Sequence, residues 1–249
     1  MLGRSSRWWT VLVPALAAAV VAGCTSESGV GPRVSSLVFV SGDNQQATVG
    51  ATLTTPFVVR AQDQTGAALE GIQVSWTVTS GGGTITPSIA TTGPDGRAQA
   101  ILRLGSTLGS QTVTASIGGG SPVTFTATAV AAPPSQALPT GGEGQSAAVG
   151  ATLSNPLRVR VNDAFGNAKS GVTVTFTVTA GGGTVSASSA VTGSNGEATT
   201  QWTLGPIAGL QTVSATVAGI APVTFQATAT AGAPAALLVL SCNNQTTSP

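Results

Sequence analysis

The stretch Gly71-Ile-Gln-Val-Ser-Trp-Thr-Val-Thr-Ser-Gly-Gly-Gly-Thr-Ile85 occurs a second time in the chain, as Gly171-Val-Thr-Val-Thr-Phe-Thr-Val-Thr-Ala-Gly-Gly-Gly-Thr-Val185. The two copies are 100 positions apart, measured from Gly81 to Gly181, and the offset holds without a gap on both sides. Self-similarity at a fixed period indicates repeated structural units, so the chain of 249 residues is predicted to contain two modules of one fold.

The repeated stretch has the pattern of a half-buried strand. Val74, Trp76 and Val78 alternate with Ser or Thr, and the three glycines that follow end the strand. The dipeptide Asp95-Gly96, like its copy Asn195-Gly196, predicts a hairpin turn because these residue types tolerate positive φ. Several short strands in each hundred residues, without helical periodicity, predict an all-β fold of tandem immunoglobulin-like antiparallel β-sandwiches.

The two modules exchange a large side chain between strands. The first copy has Trp76 and Leu102 where the second has Phe176 and Trp202. Each module thus keeps one Trp, on a different strand, as expected if core volume is traded between facing sheets. A Trp on a sugar-binding face is the alternative, but both positions share an alternating apolar face, and we expect core packing.

The start of the chain has the features of an exported protein. Arg4 and Arg7 precede a short apolar run, and the run ends in Val21-Ala22-Gly23-Cys24. A basic start, a short apolar core and small residues are typical of a secretory signal peptide. The last four residues resemble the bacterial lipobox, which implies signal cleavage between Gly23 and Cys24 and lipid attachment at Cys24. The absence of Asp after the cysteine then favours the outer membrane of a Gram-negative cell.

The remaining sequence divides around the repeats. Pro133 and Pro134 favour a stiff, extended linker between the modules. Residues after the second module match the first strand of a module, and they are a truncated product, a docked extra strand or disordered. The predicted organisation is a signal peptide at 1–23, a flexible tether at 24–35, Ig-like domain 1 at 36–131, Ig-like domain 2 at 136–231 and the incomplete start of a third repeat at 235–249.

Composition argues against several classes of function. Charged residues make up 7% of the chain and the net charge is +1, which disfavours a nucleic-acid partner. The sequence has no His, the usual general base and metal ligand, and we expect neither an enzyme with a small-molecule substrate nor a cofactor. The two cysteines, Cys24 and Cys242, do not recur at the repeat spacing, so we interpret Cys242 as an incidental thiol that is free to pair between molecules.

The carboxylates fall at predicted turns. Asp63 and Asp163 recur at the repeat offset, and Asp43 and Glu143 recur in kind. Asp at such positions satisfies nearby backbone donors. Calcium binding through Asp63, Asp163 or Asp95 is the alternative, but the clustered oxygen ligands that calcium needs are absent from the sequence pattern. No metal site is therefore predicted.

Both modules resemble a known family along most of their length, at about residues 36–130 and 136–230. The motifs that carry the resemblance are Gly71 to Val78, Gly81-Gly-Gly83, Thr92-Gly-Pro-Asp-Gly-Arg-Ala98 and Val113-Thr-Ala115. They resemble the bacterial Ig-like repeats of invasin and intimin, the Big-1 group. The resemblance implies an Ig-like sandwich used as a stalk or adhesive rod on bacterial surfaces.

We therefore expect a non-enzymatic lipoprotein, exported and lipid-anchored at the cell surface through Cys24, whose Ig-like modules form a stalk or adhesin-type rod. The alternative is a carbohydrate- or matrix-binding module that uses loops at one end of the sandwich. In both readings the expected partners are the membrane, reached through the lipid, and a ligand on a cell surface, a glycan or a matrix protein.

Overall fold

The computed structural model describes residue 34 and residues 36–232. The predicted signal peptide, Cys24, nearly all of the tether, Cys242 and the start of a third repeat lie outside the described residues. Within the described part the chain forms strands, turns and loops, and no residue there is helical.

The first module contains nine strands in two sheets. The strands are β1 (Ser36–Ser41), β2 (Gln45–Thr48), β3 (Phe57–Gln62), β4 (Gln73–Val78), β5 (Thr84–Thr86), β6 (Ile89–Thr91), β7 (Arg97–Arg103), β8 (Gly109–Ser116) and β9 (Val123–Val130). One sheet has the order β1-β3-β7-β5 and the other β2-β9-β8-β4-β6. The two sheets face each other across one apolar core.

The second module repeats this plan. Its strands are β10 (Pro134–Gly141), β11 (Gln145–Ala148), β12 (Leu157–Asp163), β13 (Thr173–Ala180), β14 (Thr184–Val185), β15 (Ser189–Val191), β16 (Glu197–Thr200), β17 (Trp202–Thr203), β18 (Gly209–Thr216) and β19 (Val223–Thr230). The larger sheet has the order β11-β19-β18-β13-β15, while β10-β12-β16 and the pair β14-β17 make up the opposite side. A separate apolar core fills this module. The prediction of an all-β chain with tandem Ig-like sandwiches is confirmed.

Two details differ from the sequence prediction. The turns at Asp95-Gly96 and Asn195-Gly196 do not join hairpin partners, because β6 pairs with β4 whereas β7 pairs with β3 and β5. The turn therefore carries the chain from one sheet to the other. In addition, β2 pairs parallel to β9, and β11 parallel to β19, so the sandwiches are not purely antiparallel.

Both tryptophans lie in the cores. Trp76 is 3% exposed and Trp202 is fully buried, which confirms the prediction that they pack inside rather than on a binding face. Trp76 lies on β4 and its ring centroid is 5.7 Å from that of Phe125. Trp202 lies on the sheet opposite the one that holds Phe176. Each module thus has one indole in its core. The indole comes from the larger sheet in the first module and from the opposite sheet in the second.

Candidate functional site

The residues to which the sequence assigns chemistry, Gly23 and Cys24, lie outside the described residues. The described part of the chain holds the other groups that could bind or react. It contains no cluster of three or more Asp, Glu, Cys or His side chains that could hold a metal ion. Among the residues described, no helix is long and apolar enough to cross a membrane.

Asp63 stabilises a turn of its own module. Its Oδ1 accepts hydrogen bonds from the backbone N–H of Thr65 at 2.8 Å and of Ala67 at 2.9 Å, and from the Thr65 hydroxyl at 2.7 Å. Hydrogen bonds from the Thr65 side chain and backbone lower the pKa of this carboxyl, since they favour its charged form. The interpretation as turn chemistry is confirmed for this residue.

Asp43 instead ties two distant parts of the first module together. Its Oδ1 accepts the backbone N–H of Thr126 at 2.6 Å and the Thr126 hydroxyl at 2.9 Å, 83 residues along the chain. Burial raises the pKa of Asp43, but the hydrogen bonds from Thr126 outweigh it and the net shift is downward. The Asp43 carboxylate therefore has a structural role, which is to connect its loop to β9.

Two shallow surface grooves have polar linings. The first has a volume of about 480 Å³ and contains Asp95 and Arg97, whose carboxylate and guanidinium are 3.6 Å apart and exposed. The second has a volume of about 350 Å³ and lies on the second module beside Glu143 and Arg158. Beside the second groove the hydroxyl of Thr140 donates to Oε1 of Glu197 at 3.1 Å, an exposed contact between β10 and β16.

A buried glutamine is the structural residue that sequence reasoning missed. Gln111 is fully buried, and its Oε1 accepts the backbone N–H of Gly105 at 2.9 Å while its Nε2 donates to the carbonyl of Thr107 at 3.0 Å. A Cβ added at Gly81 would lie 2.7 Å from the Gln111 Cβ. Gln211 makes the corresponding bonds to Gly205 and Ile207. The only sequence signal was the recurrence of Gln at the repeat offset.

Three polar side chains of the second module make hydrogen bonds at the junction between the modules. Asp163 Oδ2 accepts the backbone N–H of Ala132 at 3.1 Å, and Lys169 Nζ donates to the carbonyl of Ala131 at 3.0 Å. The Asn167 Nδ2 group donates both to Asp163 Oδ2 at 3.1 Å and to the carbonyl of Ser106, in the first module, at 3.0 Å. Asp163 was predicted as a turn residue, and the turn is present, with its Oδ1 accepting two backbone N–H groups.

These features define a class of protein: consecutive Ig-like β-sandwiches joined end to end, with carboxylates that serve turns and a module junction. The profile of the bacterial Ig-like domain (group 1) matches residues 37–131 and 140–235, which together make up more than half of the chain. The chain belongs to this family, and it contains two tandem copies of the domain. No curated protein matches the sequence significantly.

Among the solved structures that the chain matches are domains of intimin and the proteins FdeC and invasin. The D0-D1 domain of intimin is 23% identical, with a TM-score of 0.32, over 78% of this chain and 95% of that one. FdeC, an Escherichia coli adhesin, is 22% identical, with a TM-score of 0.45, over 79% of this chain and 65% of that one. Invasin, described as a bacterial integrin-binding protein, is 21% identical, with a TM-score of 0.37, over 78% of this chain and 40% of that one.

Proposed function

We propose that this chain is a non-enzymatic lipoprotein of the bacterial surface, in which the two Ig-like modules form a stalk or adhesin-type rod. The observation that carries the proposal is the tandem arrangement of two group 1 bacterial Ig-like domains with a short connection. β9 ends at Val130 and β10 begins at Pro134, so three residues separate the last strand of one sandwich from the first strand of the next. A connection this short suits an extended spacer.

The anchor belongs to the same proposal. Cleavage between Gly23 and Cys24 makes Cys24 the first residue of the mature chain, and a diacylglycerol on its sulfur attaches the protein to the membrane, in a Gram-negative cell the outer membrane. Residues 24–35 then act as the tether, 36–131 and 136–231 as the two modules of the rod, and 235–249 as the start of a third repeat. The distribution of chemistry supports a passive role, since Asp43, Asp63 and Asp163 are all engaged by backbone donors.

Metabolic labelling tests the anchor. Cells that express the wild-type chain should incorporate radiolabelled palmitate into it, and cells that express Cys24→Ser should not. Cys242→Ser is the matched control, because it removes the other cysteine of the sequence and should leave labelling unchanged. Equal labelling of the wild type and Cys24→Ser would contradict lipid attachment at this residue.

A second candidate function is a binding surface on the loops of one sandwich end. Ile207, in the connection from β17 to β18, is 65% exposed and Leu210 is 61% exposed. The first module has Thr107 and Ser110 at these positions, so the second module exposes apolar side chains where its copy exposes polar ones. Apolar groups gathered on a surface are typical of contact sites.

An array experiment tests this second candidate. The wild type should show saturable binding to a glycan or a matrix protein, and the double variant Ile207→Thr with Leu210→Ser, which installs the residues of the first module, should lose it. Absence of binding across both arrays, or equal binding by the wild type and the variant, would contradict the use of this surface.

A further inference from the structure

The connection between the modules is held at one peptide group. The carbonyl of Ala131 and the N–H of Ala132 belong to the same peptide bond, and its atoms are nearly coplanar. Lys169 Nζ contacts the carbonyl oxygen and Asp163 Oδ2 contacts the N–H, so two side chains of the second module bind opposite ends of this peptide group. Rotation on either side of it would break one of the two hydrogen bonds.

The chain that follows this peptide has little freedom of its own. Pro133 and Pro134 follow it, and the proline ring fixes φ near −65°. Ala132 precedes a proline, which disfavours the helical region for it. Pro134 is already paired with Asp163 in the β10–β12 ladder. The torsions of Ala131 and Ala132 are the main ones left to change the orientation of the modules, and they flank the peptide that Asp163 and Lys169 bind.

The same loop of the second module also contacts the body of the first. Asn167 donates to the carbonyl of Ser106, 61 residues earlier in the chain. The Phe165 ring packs against Gly50 so closely that a Cβ added at this glycine would lie 2.6 Å from the ring carbon Cζ. Gly50 has a φ of +73°, so glycine there meets both a backbone and a packing demand.

Three of the four contacting side chains are specific to the second module. At the repeat offset, Phe165, Asn167 and Lys169 correspond to Thr65, Ala67 and Leu69, while the aspartate is shared. Leu69 is buried in the core of its own module, whereas Lys169 reaches the connection. The turn built on the aspartate is therefore present in both modules. The three other side chains that contact the first module are present in the second module and not at the equivalent positions of the first.

From these contacts we infer that Asp163, Phe165, Asn167 and Lys169 form a clasp that holds the second module in one orientation on the first. The surface that receives the clasp is the end of the first module at Gly50 and Ser106, together with the Ala131–Ala132 peptide. Modules joined by a small interface move relative to each other by default, so the stiffness of the pair depends on these four side chains. The inference concerns the junction only and stands whether or not the chain is a surface lipoprotein.

Distances between spin labels on the two modules test the clasp. Ser75 and Thr175 are exposed and lie on equivalent strands. Both can be replaced by Cys for labelling, in the chain of 249 residues with Cys24 and Cys242 changed to Ser. The unmodified clasp should give a single narrow distance distribution. The triple variant Phe165→Thr, Asn167→Ala and Lys169→Leu, which installs the residues of the first module, should broaden it about twofold.

The controls separate loss of the clasp from loss of the fold. Ile207→Thr also exchanges an exposed residue for its first-module counterpart, but away from the junction, and should leave the distribution unchanged. Phe165 is 47% exposed, so Phe165→Thr alone should fold and still broaden the distribution. The thermal unfolding midpoints of the modules should not change in Ile207→Thr or in Phe165→Thr. A distribution already broad with the clasp intact, or one still narrow in the triple variant and in Phe165→Thr, would overturn the inference.

Discussion

Gly81 illustrates how one residue meets two separate demands. Its φ of +87° lies in a region that residues with a Cβ rarely adopt, and its missing side chain leaves room for the buried Gln111. Gln111 in turn accepts the N–H of Gly105 and thereby satisfies a buried backbone donor. The sequence predicts that the glycine triplet ends a strand. The structure shows that Gly81 also leaves space for the buried side chain of Gln111.

Comparison of two neighbouring glycines separates the two demands. Gly82 has a φ of +69°, but no other group lies within 4 Å of an added Cβ. We therefore expect Gly82→Ala to lower the free energy of unfolding by about 1–2 kcal/mol from backbone strain alone. Gly81→Ala should cost a further ~1–3 kcal/mol, because Gln111 must also move. Urea denaturation of both variants measures the difference, and equal losses would show that packing against Gln111 does not matter.

The pKa shift of Asp163 leads to a prediction about pH. Burial raises the pKa, but hydrogen bonds from Asn167, Phe165 and Ala132 lower it, and the net value lies below the ordinary 3.8. A carboxyl with a depressed pKa in the folded state binds protons more readily when unfolded, so its stabilising effect is present above pH ~4 and is lost as the pH falls through the folded-state pKa. The charged group that shares its peptide partner is Lys169, whose Nζ donates to the carbonyl of Ala131.

Asp163→Asn tests this dependence, since it keeps the size of the side chain and removes its charge. The unfolding midpoint of the variant should lie below that of the wild type at neutral pH, and the two should converge well below pH ~4. Asp95→Asn, at an exposed position, should show a much smaller difference at neutral pH. A gap between Asp163→Asn and the wild type that stays constant down to low pH would contradict the role of the charge.

At the scale of elements, the alternation of apolar residues predicts the long strands well. β4, β7, β8 and β9 bury every second side chain, because each lies in a sheet with one face on the core. The short strands β5 and β6 were not predicted, since three residues are too few to show a period. Asp95-Gly96 was misassigned as a hairpin because a local turn signal does not say whether the next strand joins the same sheet.

The exchange of Trp between the two cores supports a prediction about packing. Trp202→Leu installs the smaller residue of the first module, and with Phe176 still opposite it should leave a cavity and cost about 2–4 kcal/mol. Adding Phe176→Trp, which completes the exchange, should restore more than ~1 kcal/mol of that loss if the two positions share volume. Denaturation of both single variants and the double variant measures the coupling. Additive effects would mean that the two sites pack independently.

At the scale of the whole molecule, local patterns were least informative about the contacts between modules. The repeat predicted two sandwiches, and the two prolines predicted a stiff connection. The sequence did not distinguish the roles of Asp63 and Asp163, because both look like turn residues. Only the fold brings Asp163 to the N–H of Ala132 and Asn167 to the carbonyl of Ser106. Long-range partners of this kind depend on where the end of the first module meets the second module. No local spacing in the sequence encodes that meeting point.

The proposal of a surface rod depends on where the modules are displayed. In the proposed arrangement, the lipid on Cys24 and the tether hold both sandwiches outside the cell, with the clasp keeping them in line. The arrangement predicts that antibodies against the modules reach them without disruption of the membrane. It also predicts that loss of the lipid releases the chain from the cell envelope.

The most direct measurement is antibody labelling of intact cells, with permeabilised cells as the reference. The wild type should label equally before and after permeabilisation, Cys242→Ser should behave in the same way, and Cys24→Ser should lose cell-associated label and appear in a soluble fraction. Labelling of the wild type only after permeabilisation would contradict display at the cell surface, and surface labelling of Cys24→Ser at the wild-type level would contradict the anchor.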